Sequence, residues 1–130
     1  MQPPADNSSD APALTAVRDL GELGAVEILG AHAVDLMTAS AVKLGLYEDG
    51  DAQRDLADAR ILICGVAGLV DAVAPLLGNQ HTLPLRQGVK SLQEAFRAQQ
   101  DHPDAPGNGP GEKYTRPQPA GTAVPDRRDR

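Results

Sequence analysis

The sequence predicts an all-α protein, a small bundle of three main helices flanked by disordered tails. Apolar residues in the middle of the chain recur at spacings of three and four, which is the period of an amphipathic helix. Strict alternation of apolar and polar residues, which would indicate strands, is not sustained anywhere in the 130 residues. Between residues 13 and 100, proline occurs only as Pro75 and Pro84. We therefore expect one helical domain over residues 13–100.

The first main helix is predicted over about residues 25–46. A candidate short helix at residues 14–20 and a bend at residues 21–24 precede it. Gly45 and the acidic turn that follows are expected to end it. The helix has an apolar seam, and small residues within this seam would let a partner helix come close. The seam consists of Val26, Leu29, Ala33, Leu36, Ser40, Leu44 and Tyr47.

The second main helix is predicted over about residues 52–77, with Asp51 as its N-cap. Residues 61–70 carry no charge, so we expect this helix to be the buried, central one. Its seam consists of Leu56, Ala59, Ile63, Val66, Val70, Val73 and Leu77. A second face carries Ile61, Gly65, Gly68 and Ala72. Because a glycine inside a helix costs about 1 kcal/mol relative to alanine, the two glycines indicate close approach by a neighbour.

The third main helix is predicted over about residues 83–99. Thr82 is the expected cap, and Pro84 is tolerated in the first turn. The apolar stripe consists of Leu85, Val89, Leu92 and Phe96. Three basic residues, Arg86, Lys90 and Arg97, lie off this stripe and form the only basic surface that the domain predicts.

The two ends of the chain are predicted to be disordered. Residues 1–12 and 101–130 contain no Ile, Leu or Phe and are rich in proline, so they bury too little apolar surface to offset chain entropy. The head also lacks the basic start and apolar run of a signal peptide. We therefore expect a cytoplasmic protein.

Composition disfavours several classes of function. The net charge of −6 argues against a phosphate-binding surface, and 2% aromatic residues leave few faces on which bases could stack. A single cysteine excludes an internal disulfide, and His32, His81 and His102 lack zinc-ligand spacing. No cofactor is implied. The uncharged run is also too short to cross a bilayer, so no membrane span is expected.

A few other residues could carry chemistry. His32 and Asp35 are three residues apart and could form an acid–base pair, although no nucleophile accompanies them. Cys64 lies in an apolar run, which favours a buried free thiol. Asp55, Asp58 and Arg60 could contact a partner, or could serve the helix dipole and a solvated surface. No catalytic site is predicted.

Self-association is expected because a small domain with one phenylalanine has a modest core. The seam residues expected in a homodimer are Leu29, Leu36, Leu44, Val66 and Val70. Arg86, Lys90 and Arg97 form the candidate surface for another partner, a protein or, less strongly supported, RNA or the ribosome.

Three blocks of sequence resemble a known family. The run from His32 to Leu46 ends in Lys-Leu-Gly-Leu, the run from Asp55 to Ile63 carries an Ala-Arg-aliphatic sequence, and Leu85 to Phe96 reads Leu-Arg-x-Gly-x-Lys-Ser-Leu-Gln-x-x-Phe. Together these resemble the bacterial family catalogued as domain of unknown function 1844, over about residues 20–100. The resemblance implies a small, cytosolic, helical bacterial protein without an assigned activity, and an association with translation genes.

Two functions follow as expectations. The first is a non-enzymatic helical interaction protein, a self-associating scaffold or adaptor. The alternative is a ribosome- or RNA-associated accessory factor in translation, which rests on the basic third helix and on the family resemblance.

Overall fold

A computed structural model describes residue 17, residues 20–48 and residues 50–115. Every regular element in these residues is an α-helix, which confirms the predicted all-α class. The elements are α1 (Ala25–Lys43), α2 (Gly50–Gln53), α3 (Leu56–Leu77), α4 (Asn79–Gln99) and α5 (Glu112–Thr115). The three long helices match the three that were predicted. The disorder predicted for residues 1–12 and 116–130, and most of the short helix predicted at 14–20, lie outside the described residues.

The chain divides into two compact units, Met1–His32 and Ala33–Arg130, and the boundary falls within α1. In the first unit, residues 20–22 are helical and Leu23 is a bend. α1 begins at Ala25, where the Glu27 carboxylate accepts a hydrogen bond from the Gly24 N–H at 2.9 Å. This contact satisfies one of the donors left free at a helix start.

The core of the second unit forms among α3, α4 and the end of α1. Its buried residues are Leu44, Ala59, Ile63, Leu92 and Phe96. Met37 and Ala41 of α1 pack against this cluster. The predicted stripe of α4 and the predicted seam of α3 therefore meet each other, as their helical spacing indicates.

The end of α1 differs from the prediction. The helix ends at Lys43, three residues before the predicted end, because Gly45 adopts a φ of +75°. The Gly45 N–H then bonds to Val42 O, and the Leu46 N–H to Ala41 O, which is the hydrogen-bond pattern of a Schellman motif. Tyr47, predicted to be in the seam, consequently lies beyond the helix and is exposed.

The start of α3 also differs from the prediction. Asp55, and not Asp51, is its N-cap: the Asp55 Oδ1 accepts from the Asp58 N–H at 3.0 Å. Asp51 instead lies in the single turn α2 and pairs with Arg54 at 3.0 Å. The short helix α2 thus includes residues 52 and 53, which were assigned to the start of the second helix.

α4 begins at Asn79, four residues before the predicted start. Only Gly78, with a φ of +85°, separates it from α3. Thr82 is therefore not a cap: it is buried in the first turn, and its hydroxyl donates to Gly78 O. Pro84 lies inside the helix rather than in its first turn, where its missing N–H removes one intrahelical hydrogen bond.

Residues 101–115 correct the predicted start of the disordered tail. Residues 104–115, which we call the C-terminal arm, contact α3 and α4. Gly111, with a φ of +69°, lies so close to α3 that an added Cβ would stand 2.5 Å from the Cβ of Ala67. The Tyr114 ring lies against Gly68. Because Gly111 has no side chain, this proline-rich segment packs closely against α3 instead of being disordered.

Two helices, Ala25–Lys43 and Leu56–Leu77, are long and apolar enough to cross a membrane by length and composition alone. Mostly buried core helices of soluble proteins and signal sequences pass the same test; here 11% of the apolar window in α1 and 22% of that in α3 are buried. The absence of a membrane span stays a prediction.

Candidate interaction surfaces

The predicted self-association seam lies largely inside the single chain. Leu44, Val66 and Val70 are 0%, 0% and 3% exposed, so they belong to the core and cannot contact a second copy. Leu29 and Leu36 are half-buried. The prediction was wrong for the three buried residues because a spacing of three and four marks any apolar helix face, whether it packs within the chain or outside it.

The face of α3 opposite the core carries exposed apolar residues. Ile61 is 68% exposed and Leu76 is 82% exposed. Between them lie smaller or partly buried residues at spacings of three and four. We call the set Ile61, Gly65, Leu69, Ala72 and Leu76 the outer face of α3. The face is about 22 Å long at 1.5 Å per residue, and none of its members is charged.

The two glycines of α3 have different surroundings. A Cβ on Gly68 would touch Tyr114 of the C-terminal arm at 3.4 Å, which confirms a close neighbour at that position. A Cβ on Gly65 would meet nothing within 4 Å. Gly65 therefore leaves open space beside the helix in the middle of the outer face.

The three predicted basic residues line one cleft between α4 and the C-terminal arm. Its volume is about 550 Å³. We call it the basic cleft. It is lined by Arg86, Lys90, Gln93, Glu94, Arg97, Pro106, Gly107, Glu112 and Thr115.

The cations of the basic cleft are not equivalent. The Arg97 guanidinium lies 2.5 Å from Glu112 Oε2 and also donates to the backbone O of Asp104. Arg86 and Lys90 are exposed, and within the described part of the chain no carboxylate lies within salt-bridge distance of either. Arg97 therefore holds the arm in place, while Arg86 and Lys90 present unneutralised charge.

Glu112 connects the two walls of the cleft. Its Oε1 accepts from the N–H groups of Gly107 at 2.8 Å and Gly109 at 3.2 Å, and its Oε2 faces Arg97. Burial raises the pKa of Glu112, but the hydrogen bonds from Arg97, Gly109 and Gly107 outweigh it, so the pKa lies below its ordinary value. The carboxylate stays ionised at neutral pH and keeps the turn closed.

Two further contacts attach the arm. Gln93 is buried, and its Nε2 donates to Pro110 O and to the Thr115 hydroxyl, each at 3.0 Å. Asp104 lies 2.9 Å from Arg60. The hydrogen bond from Arg60 lowers the pKa of Asp104; partial burial opposes this, and the net shift is downward.

The sequence analysis did not find the arm residues Glu112 and Tyr114 or the buried Gln93. The spacing of Gly109 and Glu112 is a weak signal, because a glutamate can accept a hydrogen bond from the backbone N–H three residues before it, as in a capping box. Nothing local in the sequence indicates that Tyr114 packs on Gly68, since the two residues are far apart in the chain.

The attachment of the arm is expected to depend on pH. Because the folded pKa values of Asp104 and Glu112 lie below the ordinary carboxyl value of about 4, their contribution to stability is complete above that value. It is lost as the pH falls through the folded values. Urea unfolding between pH 7 and pH 3 should show Glu112→Gln less stable than wild type at neutral pH and less sensitive to acid. Glu94→Gln changes an exposed residue of the same cleft and is the matched control. If the free energy of unfolding of Glu112→Gln depended on pH as steeply as that of the wild type, Glu112 would not be the group that attaches the arm.

The other candidate residues are exposed to solvent or make contacts within the chain. His32 and Asp35 are exposed, and the His32 Nδ1 donates to Ile28 O at 2.8 Å. Asp58 pairs with Lys43 at 3.2 Å. Cys64 is a free thiol and is half-buried rather than fully buried. Among residues 17, 20–48 and 50–115, no cluster of three potential metal ligands occurs.

Comparison with known proteins identifies the family. The sequence model described as "Domain of unknown function (DUF1844)" matches residues 26–98, more than half of the chain. The protein belongs to the DUF1844 family. This confirms the resemblance seen in the three sequence blocks. No curated protein and no solved structure matches the chain.

The residues matched by the DUF1844 model include all of one surface and only part of the other. It contains the whole outer face of α3 and the α4 wall of the basic cleft. The C-terminal arm, which forms the other wall, begins after the last matched residue. The outer face thus lies within the DUF1844 domain, and the cleft is completed by a segment outside it.

Proposed function

We propose that this DUF1844 protein is a non-enzymatic helical interaction protein that self-associates as a homodimer through the outer face of α3. The exposure of Ile61 and Leu76 on one uncharged helix face is the observation that carries the proposal. Exposed apolar surface of this kind, arranged along a helix, is typical of protein–protein contact sites. The proposal places the protein in the bacterial cytoplasm, as the family resemblance implies.

The energetics of burial support a two-fold arrangement. Fully burying a side chain such as Ile or Leu contributes about 1.5–3 kcal/mol. A two-fold contact buries both residues from each copy, because the same patch is used twice. Gly65 and Ala72 lie between them and let the two helix axes approach to about 8 Å, the lower end of ordinary helix packing.

Substitution of the outer face is expected to abolish self-association. The double variant Ile61→Asp, Leu76→Asp would place four carboxylates in the dimer contact, and burying an unpaired charge is strongly unfavourable. Size-exclusion chromatography with light scattering at tens of micromolar should show a dimer for the wild type and a monomer for the variant. Both sites are exposed, so the fold should survive.

Leu83→Asp is the matched control, because Leu83 is 55% exposed but lies on α4, outside the outer face. It should remain dimeric. A wild-type protein that is monomeric at these concentrations would refute the proposal, and so would a control that dissociates to the same extent.

An alternative is an accessory factor that binds RNA or the ribosome. The two unneutralised cations Arg86 and Lys90 favour it. It requires co-sedimentation with ribosomes at low salt that is lost at high salt and in the variant Arg86→Glu, Lys90→Glu, because such contacts depend on counterion release.

A further inference from the structure

We propose that the basic cleft binds an acidic peptide segment of a partner protein, with Arg86 and Lys90 contacting its carboxylates. This site goes beyond the proposed self-association, because it uses α4 and the C-terminal arm and none of the outer face of α3. A monomeric variant should therefore still bind.

The two free cations of the cleft lie close together. Arg86 and Lys90 are four residues apart on α4, so they share one side of the helix and stand about one turn from each other. Both are exposed and line the cleft. A guanidinium can bind a carboxylate through two parallel hydrogen bonds, and the neighbouring ammonium adds a second charge-assisted contact.

Hydrogen bonds and ion pairs hold the two walls of the cleft together. Glu112 and Asp104 fix Arg97, and Gln93 ties α4 to Pro110 and Thr115. The walls therefore need no reorganisation to receive a ligand, which lowers the entropic cost of binding. The volume of about 550 Å³ lies within the range of ordinary ligand clefts.

The charges that line the cleft favour a peptide over a nucleic acid strand. The two unneutralised cations precede the other lining residues of α4 along the helix, and Glu94 and Glu112 also line the cleft. One or two carboxylates fit this pattern. A strand with a phosphate on every nucleotide would place further negative charge against these glutamates and against a chain of net charge −6.

The walls of the cleft are partly apolar. Pro106 and the methylene groups of Arg86, Lys90 and Arg97 give the cleft apolar surface beside the charges. An acidic segment that also carries small apolar side chains is complementary to such a cleft, whereas a free inorganic anion would contact only the cations.

The test is fluorescence anisotropy with a fluorescein-labelled alanine octapeptide that carries two glutamates four residues apart, at low salt. We expect saturable binding to the full chain. The variant Arg86→Glu, Lys90→Glu should weaken it at least tenfold, and so should replacement of glutamate by glutamine in the peptide. Arg54→Glu is the matched control, because Arg54 is an exposed arginine that does not line the cleft, and it should bind as wild type does.

Charge exchange separates recognition from a structural effect. The variant Arg86→Glu, Lys90→Glu should bind the corresponding alanine octapeptide with two lysines more tightly than the wild type does. If the double variant does not fold, the single variant Lys90→Gln replaces it. It should bind the acidic peptide more weakly than the wild type does. The monomeric variant Ile61→Asp, Leu76→Asp should bind the acidic peptide with unchanged affinity, so this result does not depend on the dimer.

Three results would overturn the proposal. They are no saturable binding of the acidic peptide, equal weakening by Arg54→Glu, and tighter binding of a labelled oligouridylate of eight nucleotides than of the peptide. The last result would favour the nucleic-acid alternative.

Discussion

Replacing Phe96 by alanine is expected to lower the free energy of unfolding by about 3–5 kcal/mol. Phe96 is 2% exposed and lies in the core cluster with Ile63 and Leu92. The Arg60 guanidinium lies 5.0 Å from the centre of its ring, so the substitution also removes a cation–π contact. A small domain has a total stability of about 5–15 kcal/mol, so this one change would leave it marginal.

The measurement is urea unfolding followed by circular dichroism, at a fixed protein concentration because dimerisation adds to apparent stability. Tyr47→Ala is the matched control: it also removes an aromatic ring, but the ring is 56% exposed. Its effect should stay within about 0.5 kcal/mol. Equal losses for the two variants would contradict the placement of Phe96 in the core.

Gly111→Val is expected to detach the C-terminal arm from the helices. The residue has a φ of +69°, which a β-branched side chain strongly disfavours. The added Cβ would also stand 2.5 Å from the buried Ala67. The chain avoids both costs by undocking the arm, so the loss of stability should not exceed the docking free energy of the arm.

Hydrogen exchange distinguishes detachment of the arm from unfolding of the whole domain. The amide of Tyr114, which bonds to Gly111 O at 2.9 Å, should lose protection at least tenfold, while amides in the middle of α4 keep theirs. Gly107→Val is the matched control: it also has a positive φ, but a Cβ there meets nothing within 4 Å, so it carries the backbone strain without the clash and should lower the protection of the arm amides less. Arm amides that stay protected in Gly111→Val would show that the close packing is wrong.

The sequence predicted the helices better than their surfaces. The recurrence of apolar residues at three and four was sufficient for α1, α3 and α4, because a core-facing helix needs that spacing. The ends were less accurate, since Asp51 and Asp55 are equally good caps locally. The choice between them depends on α2 and on the hydrogen bond from the Asp55 N–H to Lys43 O.

The surfaces depend on contacts between residues distant in the chain. Val66 and Ile61 both belong to apolar faces of α3, but only the packing of α4 decides which of them is buried. The basic residues Arg86 and Lys90 could be found by their position off the stripe. The pairing of Arg97 could not, because Glu112 lies in a proline- and glycine-rich segment that composition assigns to a tail.

The connection between α3 and α4 has a consequence for the folding of the chain. Gly78 alone separates the two helices, and the loop between them is as short as two helices allow. Contacts near such a turn join residues close in the sequence, so they form at low entropic cost and favour fast folding. Two contacts close longer loops of the chain. Leu44, just after α1, packs in the core cluster, and Gln93 of α4 bonds to the C-terminal arm. The helical hairpin of α3 and α4 is therefore the most local unit of the fold and the natural nucleus on which the other two pieces assemble.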